Sequence, residues 1–284
     1  METTSVKDYY NDLRLKARWT GKRDSAGIPI SKTSRGKEIY FPTTILQYGL
    51  GHHDLWLETQ MEEHYKEFVK VAGWLLGQQD ELGGWDVFGQ LDTEAINKHS
   101  AMTQGQASSL LLRAFLRTKD EQYLDGAKKA VSLMLTPILA GGTALCRDED
   151  LFLGEMPSKR QTTALNGWIF AVFGLWDYAL VTSDPNAEAS LAATISTLER
   201  RLGKYDRGYW SNYDWSGPIA SPFYQKLHIA LLQALHTLTN KDIFCEGAER
   251  WAEYDRSLKN KAKAASRKVR EKLHVSPRTV RGRI

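Results

Sequence analysis

The 284-residue chain is poor in cysteine and has neither a long apolar run nor a leader-like start. Two cysteines cannot build a disulfide framework, and they do not have metal-ligand spacing. The longest apolar run, residues 167–176, is ten residues long, whereas a membrane span needs roughly 20. The first twelve residues carry acids and no apolar run, which argues against a signal peptide. We therefore expect a soluble, cytoplasmic protein in a reducing compartment.

Metal and nucleotide motifs are also missing. His52, His53 and Asp54 have side chains that bind metals, but no partner motif follows at a useful spacing. The glycine pairs at 83–84 and 141–142 lack the strand–loop–helix context and the Gly-Lys-Ser/Thr ending of a phosphate-binding loop. The sequence therefore predicts no metal site and no cofactor.

Charge is unevenly distributed along the chain. Residues 257–284 contain ten Lys/Arg and one acid, a net charge of +9, whereas the other 256 residues hold 28 Lys/Arg and 33 acids, a net charge of −5. A nucleic-acid-binding domain usually has a basic patch on its globular face, and this mildly acidic body argues against that function. The hydrophobic content of the whole chain, 42%, is typical of globular proteins.

Helical periodicity begins near Thr43. Apolar residues from Leu57 to Leu75 recur every three or four positions, which predicts an amphipathic helix. Sustained alternation with period two is absent, so we expect only short strands. Asp120, Asp184 and Asn240 are predicted N-caps. Further helices are predicted at 102–118, 121–137, 161–181, 185–202, 221–239 and 242–257.

Glycine steps divide these helices into pairs. They occur at Gly83, Gly141 and Arg207-Gly208, at intervals of 58 and 66 residues. Repeated helical hairpins bury their faces by stacking or by closing into a ring. The sequence thus predicts an all-α fold, an (α/α) toroid or incomplete barrel of helical hairpins with short β-hairpins in the loops. An irregular helical bundle is the alternative. We divide the chain into a basic N-terminal arm (1–40), the helical domain (41–256) and a basic C-terminal extension (257–284).

Three segments carry reactive side chains. Gly154 and Pro157 place Glu155 in a turn, with Arg147, Lys159 and Arg160 nearby; the carboxylate is either catalytic or a solvated loop residue. Residues 205–215, which include Trp210 and Tyr213, supply aromatic faces for sugar rings or pack into the core. Tyr224 and His228 are four residues apart and share a helix face.

Several blocks resemble the C-terminal domain of D-glucuronyl C5-epimerases, which convert D-glucuronate to L-iduronate within heparan-type polysaccharides. The resemblance covers residues 41–254, and the family domain is an (α/α) barrel. Its blocks are residues 44–50 with His52, residues 100–107 with Gln104, the Glu155-Met156-Pro157 turn, residues 165–167, residues 174–177, Tyr213-Asp214, and Tyr224 with His228.

The resemblance implies catalytic roles for Glu155, Tyr213 and Tyr224. Two positions differ from the family: Met156 replaces a tyrosine, and Ser216 replaces an arginine that helps to hold the substrate carboxylate. Arg147, Lys159 and Arg160 are the candidates to take over the role of that arginine. The residues expected to bind the substrate are Arg147, Lys159, Arg160, His228, Gln104, Tyr48 and Trp210.

Inversion at C5 requires proton removal from one face of the sugar and proton return to the other. Free Glu and Tyr have pKa values of about 4.3 and 10, so both need a shift to work near neutral pH. We expect a tyrosine whose pKa is lowered by Lys or Arg to act as the base, and a glutamic acid whose pKa is raised by aromatic surroundings to act as the acid. A polysaccharide lyase acting on uronate glycans, or a non-catalytic uronate-glycan binding protein, are the alternatives.

The expected partner is a uronate-containing glycan, and no nucleic acid is expected. Residues 259–283 lie outside the resemblance, and their composition predicts a helical extension through Lys272. This extension is either a solvated tail or a contact to an anionic membrane surface or glycan. Under the second alternative, its deletion weakens binding in a salt-dependent way and spares turnover of short oligosaccharides. The sequence leaves the oligomeric state open.

Overall fold

The computed structural model describes residues 6–91, 93, 95–158 and 163–274. Helices dominate this part of the chain, and the first eight are joined alternately by tight turns and by long loops. The α-helices are α1 (Pro42–Thr59), α2 (Glu62–Gln78), α3 (Ala101–Thr118), α4 (Glu121–Leu135), α5 (Leu165–Thr182), α6 (Pro185–Arg201), α7 (Pro222–Thr239), α8 (Asp242–Arg256) and α9 (Leu258–His274).

Strands occur as two antiparallel hairpins. The first pairs β1 (Ser31–Lys32) with β2 (Glu38–Ile39), and the second pairs β3 (Ala144–Arg147) with β4 (Asp150–Leu153). In the second hairpin, Ala144 lies opposite Leu153 and Arg147 lies opposite Asp150. Short 3₁₀ helices cover Arg14–Ala17, Ile138–Ala140 and Leu202–Tyr205.

The odd-numbered helices α1, α3, α5 and α7 form an inner row, and α2, α4, α6 and α8 each pack on the preceding helix from outside. This arrangement is an arc of an (α/α) toroid with short hairpins in its loops, which confirms the predicted fold class. The inner row packs most tightly between α3 and α5. A Cβ at Gly174 would lie 2.1 Å from the Gly105 carbonyl oxygen, so glycine is required for this approach of the two helices.

Helix α5 is long and apolar enough to cross a membrane by length and composition alone. However, 78% of its apolar window is buried inside the fold, where it contacts α3, α4, α6 and α7. Helices that are apolar on all sides are typical of the centre of a large core as well as of membranes. Here α5 is the central helix of the domain.

The two ends of the arc differ in loop length. At one end each inner helix stops at a residue in the left-handed conformation and the next helix begins within three residues; these residues are Gln60, Lys119, Ser183 and Asn240. The other end carries the long loops 79–100, 136–164 and 202–221. Each of these loops turns at a glycine with positive φ, at Gly83, Gly141 and Gly208, as the sequence rhythm predicts. In the described part of the chain, the long loops, which are the ones that commonly carry function, therefore lie at the same end of the arc.

The N-terminal arm packs into the domain core. Tyr9 and Leu13 are 4% exposed, and Ile28 is 1% exposed. Arg113 on α3 donates to the carbonyl oxygens of residues 7 and 8 and forms a buried ion pair with Asp177 on α5, at 2.6 Å. The Tyr10 hydroxyl donates to the same carboxylate at 2.6 Å. These contacts fix the arm to the short-turn end of the arc.

Most helix predictions agree with the structure, with two exceptions. Asp120 and Asp184 cap α4 and α6 through their side chains, as predicted. Asn240 was expected to be an N-cap but instead ends α7 in the left-handed conformation, which asparagine tolerates well. The single helix expected across residues 57–75 is divided at Gln60, whose φ of 56° ends α1 before α2 begins. The helical period continues across this break, so periodicity alone does not reveal it.

Candidate active site

Glu155 lies in a turn held between two elements. It follows β4, and the Gly154 amide donates to the Thr143 carbonyl oxygen at 2.9 Å. The Gly154 carbonyl oxygen accepts from the first amide of α3, that of Ala101, at 3.0 Å. The Glu155 side chain lies against Gly167 on α5, where any larger residue would collide with it. The carboxyl group is thus fixed at the long-loop end, beside the start of α5.

Tyr213 approaches from the loop before α7. Its amide donates to the Pro218 carbonyl oxygen at 2.7 Å, and its carbonyl oxygen accepts from the Leu165 amide at 3.0 Å. The first bond closes a short hairpin, and the second attaches that hairpin to the start of α5. This backbone geometry brings the Tyr213 hydroxyl to the Glu155 carboxylate, to which it donates at 3.3 Å.

Tyr224 completes the group from the first turn of α7. The Ser221 side chain caps this helix and accepts from the Tyr224 amide at 3.3 Å. The Tyr224 ring meets the Tyr213 ring edge-on, with centroids 4.8 Å apart. Phe223, 65% exposed, contacts Tyr224 at 5.3 Å between centroids and presents an apolar face to solvent. The three residues with predicted catalytic roles therefore lie side by side.

The electrostatics of the site raise the pKa of the Glu155 carboxyl group toward neutral pH. Burial raises the pKa of Glu155 to about 7, against the lowering effect of the Tyr213 hydrogen bond, and the negative charge of Asp214 raises it further. A carboxyl group with this pKa exchanges protons readily at neutral pH. The predicted raising of the Glu155 pKa by its surroundings thus agrees with the structure.

The expected lowering of a tyrosine pKa by Lys or Arg is wrong. Burial raises the pKa of Tyr213 well above its ordinary value, and the nearby Glu155 charge adds to this effect. Burial and the same charge raise the pKa of Tyr224. Both phenols are therefore neutral near pH 7 and suited to donate protons. The chemistry consequently favours Glu155 as the base and a tyrosine as the acid, the reverse of the expected assignment.

His228 and Trp210 lie beneath the site in the core. His228 is fully buried, and its Nδ1 is 2.9 Å from the Ser211 hydroxyl. Burial lowers the pKa of His228 to about 3, so its imidazole is neutral. Trp210 is 1% exposed and donates to the Ala220 carbonyl oxygen. Neither side chain is accessible to a glycan in this structure, so their predicted role in binding would be indirect.

Tyr48 and Gln104 are also interior residues. Tyr48, 2% exposed, donates to Glu67 at 2.5 Å and accepts from Arg23 at 2.8 Å. Gln104, fully buried, donates to the carbonyl oxygens of Gly83 and Ala130. Their hydrogen bonds join α1 to α2 and α3 to α4. In this structure both residues hold the scaffold together, and neither presents a polar group to the surface near Glu155.

The predicted cations are placed differently from one another. Arg147 lies at the tip of the β3–β4 hairpin, whereas Glu155 follows the base of that hairpin. Its guanidinium is 5.8 Å from the centre of the Trp215 ring, which Lys204 approaches at 5.4 Å. Arg147 is therefore not brought to Glu155. Lys159 and Arg160 lie outside the described residues.

The two positions that differ from the family lie in two different turns of the site, Met156 in the turn of Glu155 and Ser216 in the turn after Tyr213. Met156 is 37% exposed next to Glu155. The Ser216 amide and hydroxyl both donate to the Asp214 carboxylate, at 2.7 and 2.5 Å. Ser216 thus shapes the turn after Tyr213 and adds no positive charge.

Three further residues shape the site, and the sequence had predicted no role for them, although Gly167 and Asp214 belong to blocks that resemble the family. Gly167 gives Glu155 its space, Asp214 raises the pKa of Glu155, and Phe223 offers an exposed aromatic face. The aromatic content of the segments had indicated sugar contact, but the sequence could not show which ring is exposed. For metals, the described residues contain no group of three or more His, Cys, Asp or Glu side chains arranged to hold an ion. In particular, His52 pairs with His64, and His53 pairs with Asp54.

The long-loop end of this (α/α) toroid thus brings together a carboxyl group with a pKa raised to about 7, two phenols and an exposed aromatic ring. The family model for the D-glucuronyl C5-epimerase C-terminus matches residues 79–253, and the chain belongs to this family. The match confirms the resemblance seen in the sequence.

Two curated relatives are similar over part of their length. A D-glucuronyl C5-epimerase from Caenorhabditis elegans is 28% identical over 220 residues, which cover 68% of this chain and 35% of the relative. An uncharacterized protein from Methanocaldococcus jannaschii is 27% identical over 157 residues, which cover 54% of this chain and 51% of the relative. The chain thus spans about a third to a half of the length of these relatives.

Solved structures share the fold. A cellobiose 2-epimerase from Bacillus thermoamylovorans superposes with a TM-score of 0.59 at 12% identity, covering 78% of this chain and 62% of that one. An unsaturated glucuronyl hydrolase from Bacillus sp. GL1 superposes with a TM-score of 0.51 at 12% identity, covering 75% and 60%. At these identities the similarity concerns the toroid and not the reaction.

Proposed function

We propose that the protein epimerises C5 of D-glucuronate residues within a glycan, giving L-iduronate. The observation that carries the proposal is the contact of Tyr213 with Glu155, whose pKa is raised to about 7. C5 inversion needs a group that accepts a proton near neutral pH, and this carboxyl group meets that need. Membership of the epimerase family supports the same reaction class.

In the proposed mechanism, ionised Glu155 removes the C5 proton and a neutral tyrosine delivers a proton to the opposite face. Tyr213 donates to Glu155 and therefore belongs on the side of the base. This leaves Tyr224 for the opposite face. Each positioned proton-transfer group typically contributes roughly 10²–10⁴-fold to the rate. Phe223, exposed beside Tyr224, offers a stacking face for a sugar ring.

The substrate carboxylate must be neutralised as the C5 anion forms. The Asp214 charge acts against this, and Arg147 lies at the hairpin tip away from Glu155. We propose that Lys159 or Arg160, four and five residues after Glu155, supplies the positive charge. Methionine at either position should lower kcat for a uronate substrate more than it raises KM, because the lost interaction is strongest as the C5 anion forms.

The test is isotope exchange at C5. The chain is incubated in D₂O with glucuronate-containing oligosaccharides, and deuterium at C5 is read by NMR and mass spectrometry. The proposal predicts incorporation by the unaltered chain and none by Glu155→Gln. An unsaturated, ultraviolet-absorbing product would instead establish a lyase. Binding without exchange would establish a glycan-binding protein and overturn the proposal.

A further inference from the structure

Helix α9 lies beyond the part of the chain that matches the family, yet it packs beside the active site. Ala264, 5% exposed, joins a small buried cluster with Trp210, Ile219 and Ala220. Tyr224 packs against this same cluster. Helix α9 therefore supports the surface on which one of the site tyrosines lies.

A second contact reaches the hairpin that carries Tyr213. In this hairpin Ile219 lies opposite Asn212. The hydrogen bonds between the two sides are made by the neighbours of this pair, from Tyr213 to Pro218 and from Ala220 to Ser211. In such an antiparallel arrangement the N–H and C=O of Ile219 point away from the opposite side and form an open edge.

Helix α9 supplies partners for both groups at this edge. The Ile219 amide donates to the two carboxylate oxygens of Glu271 at 3.2 and 3.1 Å. The Lys268 ammonium donates to the Ile219 carbonyl oxygen. Lys268 and Glu271 are one helical turn apart, so their side chains leave α9 on the same face. Their side chains are only 21% and 14% exposed, and charge-assisted hydrogen bonds of this kind are the stronger ones.

We propose that α9 is a positioning element of the active site, in which Lys268 and Glu271 hold Ile219 and thereby keep Tyr213 within hydrogen-bonding distance of Glu155. The effect on turnover rests on the proposed function, whereas the effect on the hairpin does not. Under one of the two alternatives that the sequence left open, this extension was expected to be dispensable for turnover of short oligosaccharides. The contacts with Ile219 and the Tyr224 cluster give it a part in that turnover.

Four single variants test the positioning role. Glu271→Ala removes the acceptors for the Ile219 amide, and Glu271→Gln keeps one. Lys268→Met removes the donor to the Ile219 carbonyl oxygen, and Lys261→Met makes the same change at an exposed position of the same helix. Each variant is prepared in the full chain. The measurements are its melting temperature, its amide exchange over residues 211–220, and its kcat, KM and pH profile on a short uronate oligosaccharide.

We expect Glu271→Ala and Lys268→Met to lower kcat by roughly 10-fold to 100-fold with little change in KM, because a shift of about 1 Å in a site group is that harmful. Amide exchange over 211–220 should accelerate in both. Weakening the Tyr213 bond removes an interaction that lowers the pKa of Glu155, so the corresponding limb of the pH profile should move to higher pH. Glu271→Gln and Lys261→Met should behave like the unaltered chain.

Unchanged amide exchange and an unchanged pH profile in Glu271→Ala and Lys268→Met would overturn the positioning role. So would a fall in melting temperature without a fall in kcat, which is what a purely structural contact predicts. If the unaltered chain exchanges no deuterium at C5, the proposed function fails. Amide exchange over the hairpin then still decides whether α9 holds Tyr213.

Discussion

Gly167 and Glu155 are in such close contact that position 167 tolerates no side chain. A Cβ at this position would lie 2.6 Å from the Glu155 Cβ and 2.7 Å from its Oε2. Gly167→Ala should therefore displace the carboxyl group and lower kcat by about 100-fold, because small misplacements of site groups are costly in rate. Steady-state kinetics on a uronate oligosaccharide would measure this loss.

The matched control for this substitution is Gly73→Ala on α2. Among the described residues, a Cβ at Gly73 meets no heavy atom within 4 Å. Alanine in a helix interior is favoured over glycine by about 1 kcal/mol, so this variant should be slightly more stable and equally active. Equal activity of Gly167→Ala and Gly73→Ala would contradict the assigned role of Glu155.

The pH dependence of turnover should report on Glu155 and Tyr213 together. With Glu155 as the base, the rate should rise as the pH increases through about 7, the pKa to which burial raises this carboxyl group. Tyr213→Phe removes the hydrogen bond that lowers this pKa, so the limb should move to higher pH. A pH-rate profile of both proteins tests this. A shift of the limb to lower pH in Tyr213→Phe, or a rate that falls as the pH rises through about 7 in the unaltered protein, would contradict the role of Glu155 as the base.

Glu155 should reduce stability where it is ionised. Its pKa of about 7 in the folded protein exceeds the ordinary value of about 4.3, so stability falls as the pH rises between these values. Glu155→Gln should raise the free energy of unfolding by about 1–3 kcal/mol at pH 8 and by little near pH 4, after allowance for its partial exposure. Urea unfolding at both pH values measures this difference. Glu149→Gln, at an exposed position, should have little effect at either pH.

The buried Arg113–Asp177 pair should matter for stability and not for chemistry. Asp177 is fully buried and accepts from both Arg113 and Tyr10. Asp177→Asn leaves the arginine charge without its counterion, which costs about 3–5 kcal/mol in comparable buried pairs. Asp184→Asn is the control, because asparagine caps a helix as well as aspartate does. Thermal unfolding should separate the two variants, whereas kcat of the folded fraction should not.

The cations of α9 should act on polymer binding separately from the contacts with Ile219. Lys259 and Lys263 are exposed on this helix. The double variant Lys259→Met/Lys263→Met should bind a long uronate polymer more weakly at low salt and turn over short oligosaccharides normally, because exposed charges act through screened attraction. Titrations at two salt concentrations test this. If the double variant instead binds anionic vesicles more weakly and binds the polymer unchanged, a membrane contact is favoured.

Much of the fold could be predicted because helix signals are local. The 3.6-residue period located most of the helices, Asp120 and Asp184 marked two helix starts, and the glycine steps marked the long loops. The break at Gln60 could not be predicted, because the apolar period runs through it. Gln60 is exposed, and its side chain donates to the carbonyl oxygens of Trp56 and Leu57 in the last turn of α1. Glutamine, unlike glycine, is not typical of the left-handed conformation, so its presence gives no sign of the break.

The site was predicted less completely than the fold. Family resemblance selected Glu155, Tyr213 and Tyr224, which periodicity could not have related, since 58 residues separate the first two. Tyr48 and Gln104 belong to blocks that resemble the family, yet the structure buries them between helices. The composition of α9 indicated a basic helix. It did not indicate that Lys268 and Glu271 lie on a face that packs against the domain, because lysine and glutamate are usually solvated. Only the three-dimensional contact shows that Lys268 and Glu271 bind Ile219.

The difference between the two ends of the arc also bears on the order of folding. Tight turns at one end join helices that pair with their immediate neighbours in sequence, and such local contacts form early. The active site joins Glu155, Tyr213 and Ile219 with Glu271, and its contacts close loops of more than fifty residues. We therefore expect these contacts to form late and to open first under mild denaturation. Activity should then be lost at denaturant concentrations that leave the helical signal intact, with inactivation preceding unfolding.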